Sequence, residues 1–337
     1  MNAPTRQASG LAQLEAVLAA GGPRLPRGLA KAEARLVEVG GSHGAELGRH
    51  AADTLSAGGK RLRPLIVFLC AGDGHGEGTV SAAVAVELVH MATLVHDDVL
   101  DRAPLRRGRE TVYKSAGRAA ATCTGDFLFS RAFAELAATG SRDAVKTLSD
   151  ASSALARGEL MQRADAWSLE VSSERCISRC TLKTARLFEA ACRLGALFGP
   201  AAAGLPGAVE CLGAFGEKIG IAFQIFDDVL DVSGPPERTG KHRGTDLLDG
   251  TVTLPLILAG DRDPQLKNLD LRTAVTNPAE ADALCDRIAD TGALTDAREE
   301  ALTYVLQAKA ALDEIELPAR QRRALELVAD GVVERYA

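Results

Sequence analysis

The sequence predicts an all-α protein of ten or more helices, and three features support this prediction. Hydrophobic residues make up 46% of the 337 residues but aromatic residues only 4%, so the core must consist mainly of alanine, leucine and valine. Such a composition favours closely packed helices. Few segments alternate strictly between apolar and polar residues, as half-buried strands do. No linker-like segment divides the chain, so one core is expected.

The N-terminal part is predicted to contain a leader and then the first helices. Residues 1–28 are rich in glycine, proline and arginine and are expected to form a flexible leader with room for one short helix. A single all-α domain would then cover residues 29–337. Pro64 precedes the apolar run LIVFLCAG and is typical of a helix first turn. Residues 79–101 lack glycine and proline, so they predict one long apolar helix that Pro104 ends.

Helical spacing continues through the rest of the chain. We predict further helices over 116–138, 143–166, 173–198 and 206–232. The following segment, GPPERTGKHRGTDLLDG, is rich in chain-breaking residues and predicts a loop. TLPLILAG predicts another helix, residues 261–280 are polar and are predicted to be loop-like, and helices resume at about residue 281.

Charge and cysteine content exclude some classes of function. The net charge of −6 and the pI near 5.6 give no electrostatic support to nucleic-acid binding. The sequence shows no basic amphipathic helix of the kind that anchors proteins to membranes, so it gives no support to a stable membrane anchor. The seven cysteines are scattered and lack zinc-site spacing, so we interpret them as core residues in a reducing compartment. The N-terminus shows no signal-peptide pattern, and a cytoplasmic location is therefore expected.

The motif DDVLD occurs twice, at residues 97–101 and 227–231, each time directly after an apolar run. On a helix the first and last aspartates of each copy share a face, where like charges repel. Acidic residues near a helix C-terminus also oppose the helix dipole. A divalent cation removes this repulsion, and hard carboxylate oxygens suit Mg²⁺. The alternative is that each motif is a solvated helix end.

Basic residues occur in short motifs that are typical of phosphate binding. GGKRLRP contains Lys60, Arg61 and Arg63, and LRRG contains Arg106 and Arg107 just after the first acidic motif. Lys183 lies in LKTARLF, and TGKHRG contains Lys241. Arginine forks and lysine point charges are the usual clamps for phosphate groups. Each residue alone could be a solvated surface residue, but their combination with two acidic motifs favours a metal–diphosphate site.

These motifs resemble the trans-isoprenyl diphosphate synthases, the polyprenyl synthetase family, over roughly residues 45–260. The resemblance is carried, in the family's order, by GGKRLRP, HMATLVHDDVLDRAPLRRG, TGDFLFSRA, GELMQ, LKTARLF, FQIFDDVLD and TGKHRGTDLLDGTVTLP. It implies a helical bundle of the isoprenoid-synthase type around a central cavity, about three Mg²⁺ ions per active site, and a homodimer. One departure is that residues 249–253 read DGTVT, without the lysine that many relatives carry there.

The resemblance also implies individual roles. Asp97 and Asp101 would hold Mg²⁺ that bridges to the allylic diphosphate, Asp227 would hold Mg²⁺ from the opposite wall, and Asp98 and Asp231 would assist. The allylic diphosphate would be bound by Arg106, Lys183 and Lys241. Isopentenyl diphosphate would be bound by Lys60, Arg63, His90 and Arg107. The developing carbocation would be faced by Thr184 and Gln224.

Product length is expected to depend on residues before the first acidic motif. Short-chain relatives often place a bulky aromatic residue there as a floor, whereas this chain has Ala92 and Thr93, with Val89 and Leu88 one turn further. We therefore predict a linear all-trans product of geranylgeranyl length (C20) or longer. Phe127 and Phe129 on the next helix are alternative floor residues.

Other readings remain open at this point. The chain could be a short-chain (farnesyl) synthase, a class I terpene cyclase, or a regulatory subunit of a heteromeric prenyl synthase. A cyclase would not need the isopentenyl-binding set, and regulatory subunits tend to lose an acidic motif, whereas both are intact here. His96, six residues after His90, points to a different helix face, and its role is undecided.

Overall fold

The computed structural model describes residues 3–56, 61–74, 76–200, 205–234 and 242–334, with side chains described from residue 12 onward. The first half of the chain forms α1 (Ala3–Gly21), α2 (Leu25–Gly41), α3 (Ala45–Ser56), α4 (Leu62–Ala71), α5 (Glu77–Leu100), α6 (Val112–Ala137) and α7 (Arg142–Asp165). Between α5 and α6, a two-residue hairpin pairs β1 (Leu105–Arg106) with β2 (Arg109–Glu110) in antiparallel register.

The second half is also helical. It forms α8 (Ser173–Cys180), a π-helical turn (Thr181–Ala185), α9 (Arg186–Phe198), α10 (Ala208–Ser233), α11 (Thr245–Leu248), α12 (Leu254–Arg262), α13 (Pro264–Lys267), α14 (Leu271–Ala274), α15 (Pro278–Asp290), α16 (Ala293–Asp313) and α17 (Ala319–Glu334). The all-α prediction is confirmed. Buried side chains from helices of both halves form one continuous core cluster.

Helix α5 is the centre of this core. It packs against α2, α4, α6 and α9, and its residues from Val80 to Val95 are mostly buried. By length and hydropathy it is the single helix in the described part of the chain that could cross a membrane, but 72% of that window is buried inside the protein. We therefore interpret α5 as a core helix, whose alanines and valines allow its neighbours to approach closely.

Three segments differ from the sequence predictions. The expected flexible leader contains α1, which packs against α17: Gln13 Nε2 donates to Leu327 O at 2.8 Å, and Val17 is 4% exposed. Residues 261–280 are not a simple loop, because Asp263, Asp270 and Asn277 accept backbone N–H bonds and start α13, α14 and α15. These polar residues are helix caps. The single domain that was predicted over residues 29–337 stays a prediction.

The third difference concerns the predicted helix over 173–198. The structure divides it into α8 and α9 by the π-helical turn at 181–185. Single π turns inside helices are rare and often occur at functional sites, because the extra residue shifts the side chains that follow. Here the turn contains Lys183 and Thr184, two of the predicted site residues.

Candidate active site

The first acidic motif lies at the C-terminal end of α5. Asp98 is 5% exposed, and its Oδ1 accepts a hydrogen bond from Arg106 Nε at 2.7 Å. Asp101 is the C-cap residue, and its Oδ1 lies 2.7 Å from an Arg163 guanidinium nitrogen. Asp97 is partly buried and lies one helical turn before Asp101. Thus Asp98 positions Arg106 in this structure, while Asp97 and Asp101 share the face that was predicted to hold Mg²⁺.

Helix α7 and the π-helical turn lie next to this motif. Lys183 Nζ donates to Glu159 Oε2 at 2.6 Å and to Gln162 Oε1 at 3.1 Å. Gly158 makes this approach possible, because a Cβ there would lie 2.7 Å from Lys183 N. Sequence reasoning assigned no role to Glu159, Gln162 or Arg163. The signal that could have found the first two is GELMQ, which was already part of the resemblance.

The second acidic motif lies near the C-terminal end of α10. Thr184 Oγ1 donates to Gln224 Oε1 at 2.7 Å, and Gln224 Nε2 donates to Asp228 Oδ1 at 2.8 Å. Asp228 is 3% exposed, whereas Asp227 is exposed and Asp231 is partly buried. Thr184 and Gln224, which were both expected to face the carbocation, are hydrogen-bonded to each other, and their predicted role stays a prediction.

Asp246 joins this second motif, and sequence reasoning missed it. Its backbone N–H donates to Asp231 Oδ2 at 3.1 Å, and Gly244 N donates to Asp231 O at 2.8 Å. These contacts hold the start of α11 against the end of α10. The motif TDLLDG, which directly follows the basic motif TGKHRG and contains two aspartates three residues apart, could have identified Asp246.

The π-helical turn connects the two acidic motifs. The positive charge of Lys183 lowers the pKa of Asp97 more than that of Arg106 does, and the next residue, Thr184, is hydrogen-bonded to Gln224 on α10. Consecutive residues of one turn therefore face α5 and α7 on one side and α10 on the other. This arrangement places Asp97 and the Gln224–Asp228 pair on two sides of Lys183 and Thr184.

Electrostatics at these carboxylates favour a bound cation. Burial raises the pKa of Asp97 to about 6, with Lys183 lowering it and Glu159 and Asp101 raising it. Burial also raises the pKa of Asp228 well above its ordinary value, and nearby Asp246 adds to this shift. In the described part of the chain, no three acidic, histidine or cysteine side chains form a metal cage by themselves. This donor set fits Mg²⁺, which usually takes one or two carboxylates and completes its shell with water and phosphate oxygens.

A second group of cations lies beside α5, around His90. Arg63 Nε is buried without a hydrogen-bond partner among the described residues, and the guanidinium lies 4.7 Å from the Phe188 ring centroid. Burial lowers the pKa of Arg63 to about 10, with Glu87 opposing and Arg107 adding to the shift. Arg107 has a left-handed backbone (φ 53°) in the β1–β2 turn. Unpaired buried cations are costly, so this group is suited to an anionic ligand.

Arg61 belongs to the same segment but has a different environment. Its guanidinium pairs with Glu87 at 2.8 Å and with Glu33 at 3.0 Å, and it also donates to Leu55 O at 2.7 Å. Glu87 is 3% exposed, so this pair holds α4 against α5. Arg61 is therefore structural, whereas Arg63 remains available to a ligand.

His90 yields a prediction about stability. Burial lowers the pKa of His90 well below 6.5, and Arg63, Arg107, Arg106 and Arg61 lower it further in that order. The folded state keeps His90 neutral while the unfolded state takes up a proton below pH 6.5, so this contribution to stability falls as pH falls. Between pH 7.5 and 5.5 we expect a loss of about 1.4 kcal/mol that His90→Gln removes. Urea unfolding at both pH values measures it.

The control for this prediction is His43→Gln, because His43 is exposed. The acid-dependent loss of unfolding free energy should persist in this variant, because His90 is still present. A His90→Gln protein whose stability falls with acid as steeply as the wild type would contradict the prediction.

The other residues singled out from the sequence either lie outside the described part of the chain or make packing contacts. Lys60 and Lys241 lie outside the described residues, so their positions stay predictions. His96 faces α6: its Nε2 lies 3.3 Å from Asp126 Oδ1, and its ring stacks on Phe129 with centroids 5.7 Å apart. Phe127 packs against His43 with centroids 5.3 Å apart. His96 is thus an α5–α6 packing residue.

Comparison with known proteins agrees with this geometry. Residues 45–290 match the sequence profile of the polyprenyl synthetase family. Component 2 of heptaprenyl diphosphate synthase from Geobacillus stearothermophilus is 43% identical over 68% of this chain and 72% of its own length. Geranylgeranyl diphosphate synthase from Methanosarcina mazei is 33% identical over 83% of this chain and 87% of its own length.

A solved structure shows the same similarity in three dimensions. A polyprenyl synthase from Caulobacter crescentus CB15, complexed with calcium and isoprenyl diphosphate, superposes with a TM-score of 0.85. The two are 35% identical over 93% of this chain and 98% of the other. With two acidic motifs beside one lysine-bearing turn and a neighbouring group of cations, the chain belongs to the polyprenyl synthetase family and is a trans-prenyl diphosphate synthase.

Proposed function

We propose that the protein condenses isopentenyl diphosphate head-to-tail with an allylic diphosphate in the presence of Mg²⁺, and releases a linear all-trans prenyl diphosphate of C20 or longer. The observation that supports this most is the separation of charge around α5. Acidic residues and Lys183 lie at the end of the helix, whereas Arg63, Arg107 and His90 form a second, mainly cationic group. Two diphosphates need two such sites.

At the first site, bound Mg²⁺ would supply positive charge to the diphosphate leaving group. Asp97, Asp101 and Asp227 would hold it, with Asp98 and Asp231 in supporting positions. The ammonium of Lys183 and the guanidinium of Arg106 would bind the diphosphate oxygens and stabilise the charge that develops as the carbon–oxygen bond breaks. Lys241, which lies outside the described residues, is proposed for the same task.

Thr184 and Gln224 would act on the carbocation. The Thr184 hydroxyl donates its hydrogen to Gln224 Oε1, so the lone pairs of its oxygen remain for the developing positive charge. Gln224 is fixed in turn by its bond to Asp228. This network holds oxygen atoms with partial negative charge in a defined place without offering a nucleophile.

The second site would hold isopentenyl diphosphate through Arg63, Arg107, His90 and Lys60. Attack by its double bond forms the new carbon–carbon bond, and the released diphosphate then takes the proton that the product loses. The neutral state of His90 suits a hydrogen bond to a phosphate oxygen. The apolar residues along α5 would keep water from the cation.

The direct test is to incubate the pure protein with Mg²⁺, isopentenyl diphosphate and allylic primers, and to size the products. Elongated linear diphosphates support the proposal. Cyclised hydrocarbons would instead indicate a terpene cyclase, farnesyl diphosphate as the end product a short-chain synthase, and no turnover a regulatory subunit.

Product length supplies a specific prediction. Ala92, Val89 and Leu88 are each 0% exposed and lie on α5 before the first acidic motif, where a larger side chain would block a growing prenyl chain. We expect Ala92→Phe to shorten the main product by at least one isoprene unit, as measured by chromatography of the dephosphorylated products. Ala92→Val, a smaller increase in volume, is the control. Unchanged product length in Ala92→Phe would reject Ala92 as the gate.

A second candidate is that this chain works with a partner subunit, and the similarity to a protein named component 2 favours it. Our first proposal is instead a cytoplasmic homodimer that is active by itself. Light scattering of the pure protein, run beside the assay above, tests the dimer. Turnover that appears only after a cell extract is added would favour the heteromeric form.

A further inference from the structure

Arg163 on α7 occupies a position that the proposed reaction does not use. One of its guanidinium nitrogens lies 2.7 Å from Asp101 Oδ1, and its Nε donates to Glu159 Oε1 at 2.9 Å. The other oxygen of Glu159 accepts from Lys183 Nζ at 2.6 Å. The four side chains thus form a row of alternating charge, from Asp101 through Arg163 and Glu159 to Lys183, that joins α5, α7 and the π-helical turn.

Each charged side chain in this row has a partner of opposite charge. Asp101 is paired with Arg163, Glu159 with Arg163 and Lys183, and the neighbouring Asp98 with Arg106. A cation bound to Asp101 would lie beside the positive guanidinium that now shares its oxygen, and the two would repel each other. A metal ion and Arg163 would therefore compete for Asp101.

Glu159 is a second partner for Arg163 when Arg163 loses its contact with Asp101. Arg163 and Glu159 are four residues apart on one helix face, so this pair can persist when the contact with Asp101 is lost. Glu159 would lose its other partner in the same exchange if Lys183 binds the incoming diphosphate. Arg163 would then neutralise Glu159, the metal would neutralise Asp101, and Lys183 would neutralise the diphosphate.

We propose that Arg163 is an internal counter-cation for Asp101, which an incoming complex of Mg²⁺ and diphosphate displaces onto Glu159. This inference rests on the proposed function. It assigns to Arg163 a positioning role: the residue keeps free metal ions out of the empty site and couples metal binding to the presence of diphosphate.

The test measures Mn²⁺ binding to the full-length protein by electron paramagnetic resonance, without turnover. Without diphosphate, Arg163→Gln is expected to bind Mn²⁺ roughly 2–5-fold more tightly than the wild type, the range that corresponds to losing one exposed ion pair. With saturating inorganic pyrophosphate the Mn²⁺ affinities of the two proteins should agree within about twofold. Lys183 then binds pyrophosphate, so Glu159 can pair with Arg163 alone. The Arg163 side chain is 45% exposed, so this variant should fold.

Arg157→Gln is the matched control, since Arg157 is an exposed arginine on the same helix and the variant changes the net charge equally. It should bind Mn²⁺ like the wild type in both conditions. Equal affinities of wild type and Arg163→Gln without pyrophosphate, or an equal gain in Arg157→Gln, would overturn the role of Arg163 but not the proposed function. Absence of Mn²⁺ binding by both proteins even with pyrophosphate would overturn both proposals.

Discussion

Replacing Asp97 with asparagine is expected to lower kcat by about 10²–10³-fold, the cost that is typical of removing one preorganised electrostatic contact to the transition state. Asparagine keeps the size of the side chain but removes the charge that would hold Mg²⁺. Stability should not fall, because burial already raises the pKa of Asp97 to about 6 and a neutral side chain suits this position. Steady-state kinetics and thermal unfolding of the same preparation measure both effects.

Asp290→Asn is the control for this experiment. Asp290 is an exposed residue at the end of α15, far along the chain from either acidic motif. Its variant should retain wild-type kinetics. If Asp97→Asn kept kcat within a few-fold of the wild type, Asp97 would not be a metal ligand.

Replacing Arg63 with methionine is expected to have two opposite effects. The KM for isopentenyl diphosphate should rise by roughly 10–100-fold, because a charge-assisted contact with phosphate contributes about 1.5–3 kcal/mol. The free energy of unfolding should rise by about 1–3 kcal/mol, because a buried guanidinium with an unpaired Nε is replaced by an apolar chain that can pack on Phe188. Kinetics at saturating allylic substrate and urea unfolding test the two parts.

Arg61→Met separates this effect from a general loss of charge. Arg61 lies two residues away but is paired with Glu87 and Glu33, so its removal leaves Glu87 buried and unpaired. We expect this variant to lose about 3–5 kcal/mol of stability, the opposite direction. A destabilised Arg63→Met protein with an unchanged KM would mean that Arg63 supports the fold and does not bind substrate.

Both predictions follow from one property of the site. Asp97 is a partly buried acid with a raised pKa, and Arg63 is a base with a buried Nε and a lowered pKa. Each is held in an environment that disfavours its charge, whereas Arg61 and Glu159 are paired within the protein. A substrate complex that brings Mg²⁺ to Asp97 and phosphate to Arg63 would supply each side chain with a charge of opposite sign.

The sequence predicted the helical architecture, and it also named candidate site residues whose roles stay predictions. Composition and spacing indicated the long helix that became α5, and the repeated DDVLD and the motif LKTARLF identified residues that the structure places around one turn. It did not predict that α1 packs on α17 or that polar residues between 261 and 280 cap short helices. Those outcomes depend on neighbours that are distant in sequence, such as Gln13 and Leu327.

The amino-acid order was enough to identify the family and to predict which residue types carry the chemistry, because short motifs encode charge and spacing directly. Only the folded chain decided which of those charges are already paired. Arg61 and Arg63 are nearly adjacent in sequence, yet one is neutralised by Glu87 and Glu33 and the other is not. Pairing is set by distances of about 3 Å between separate helices, and the packing of α2, α4, α5 and α7 determines those distances.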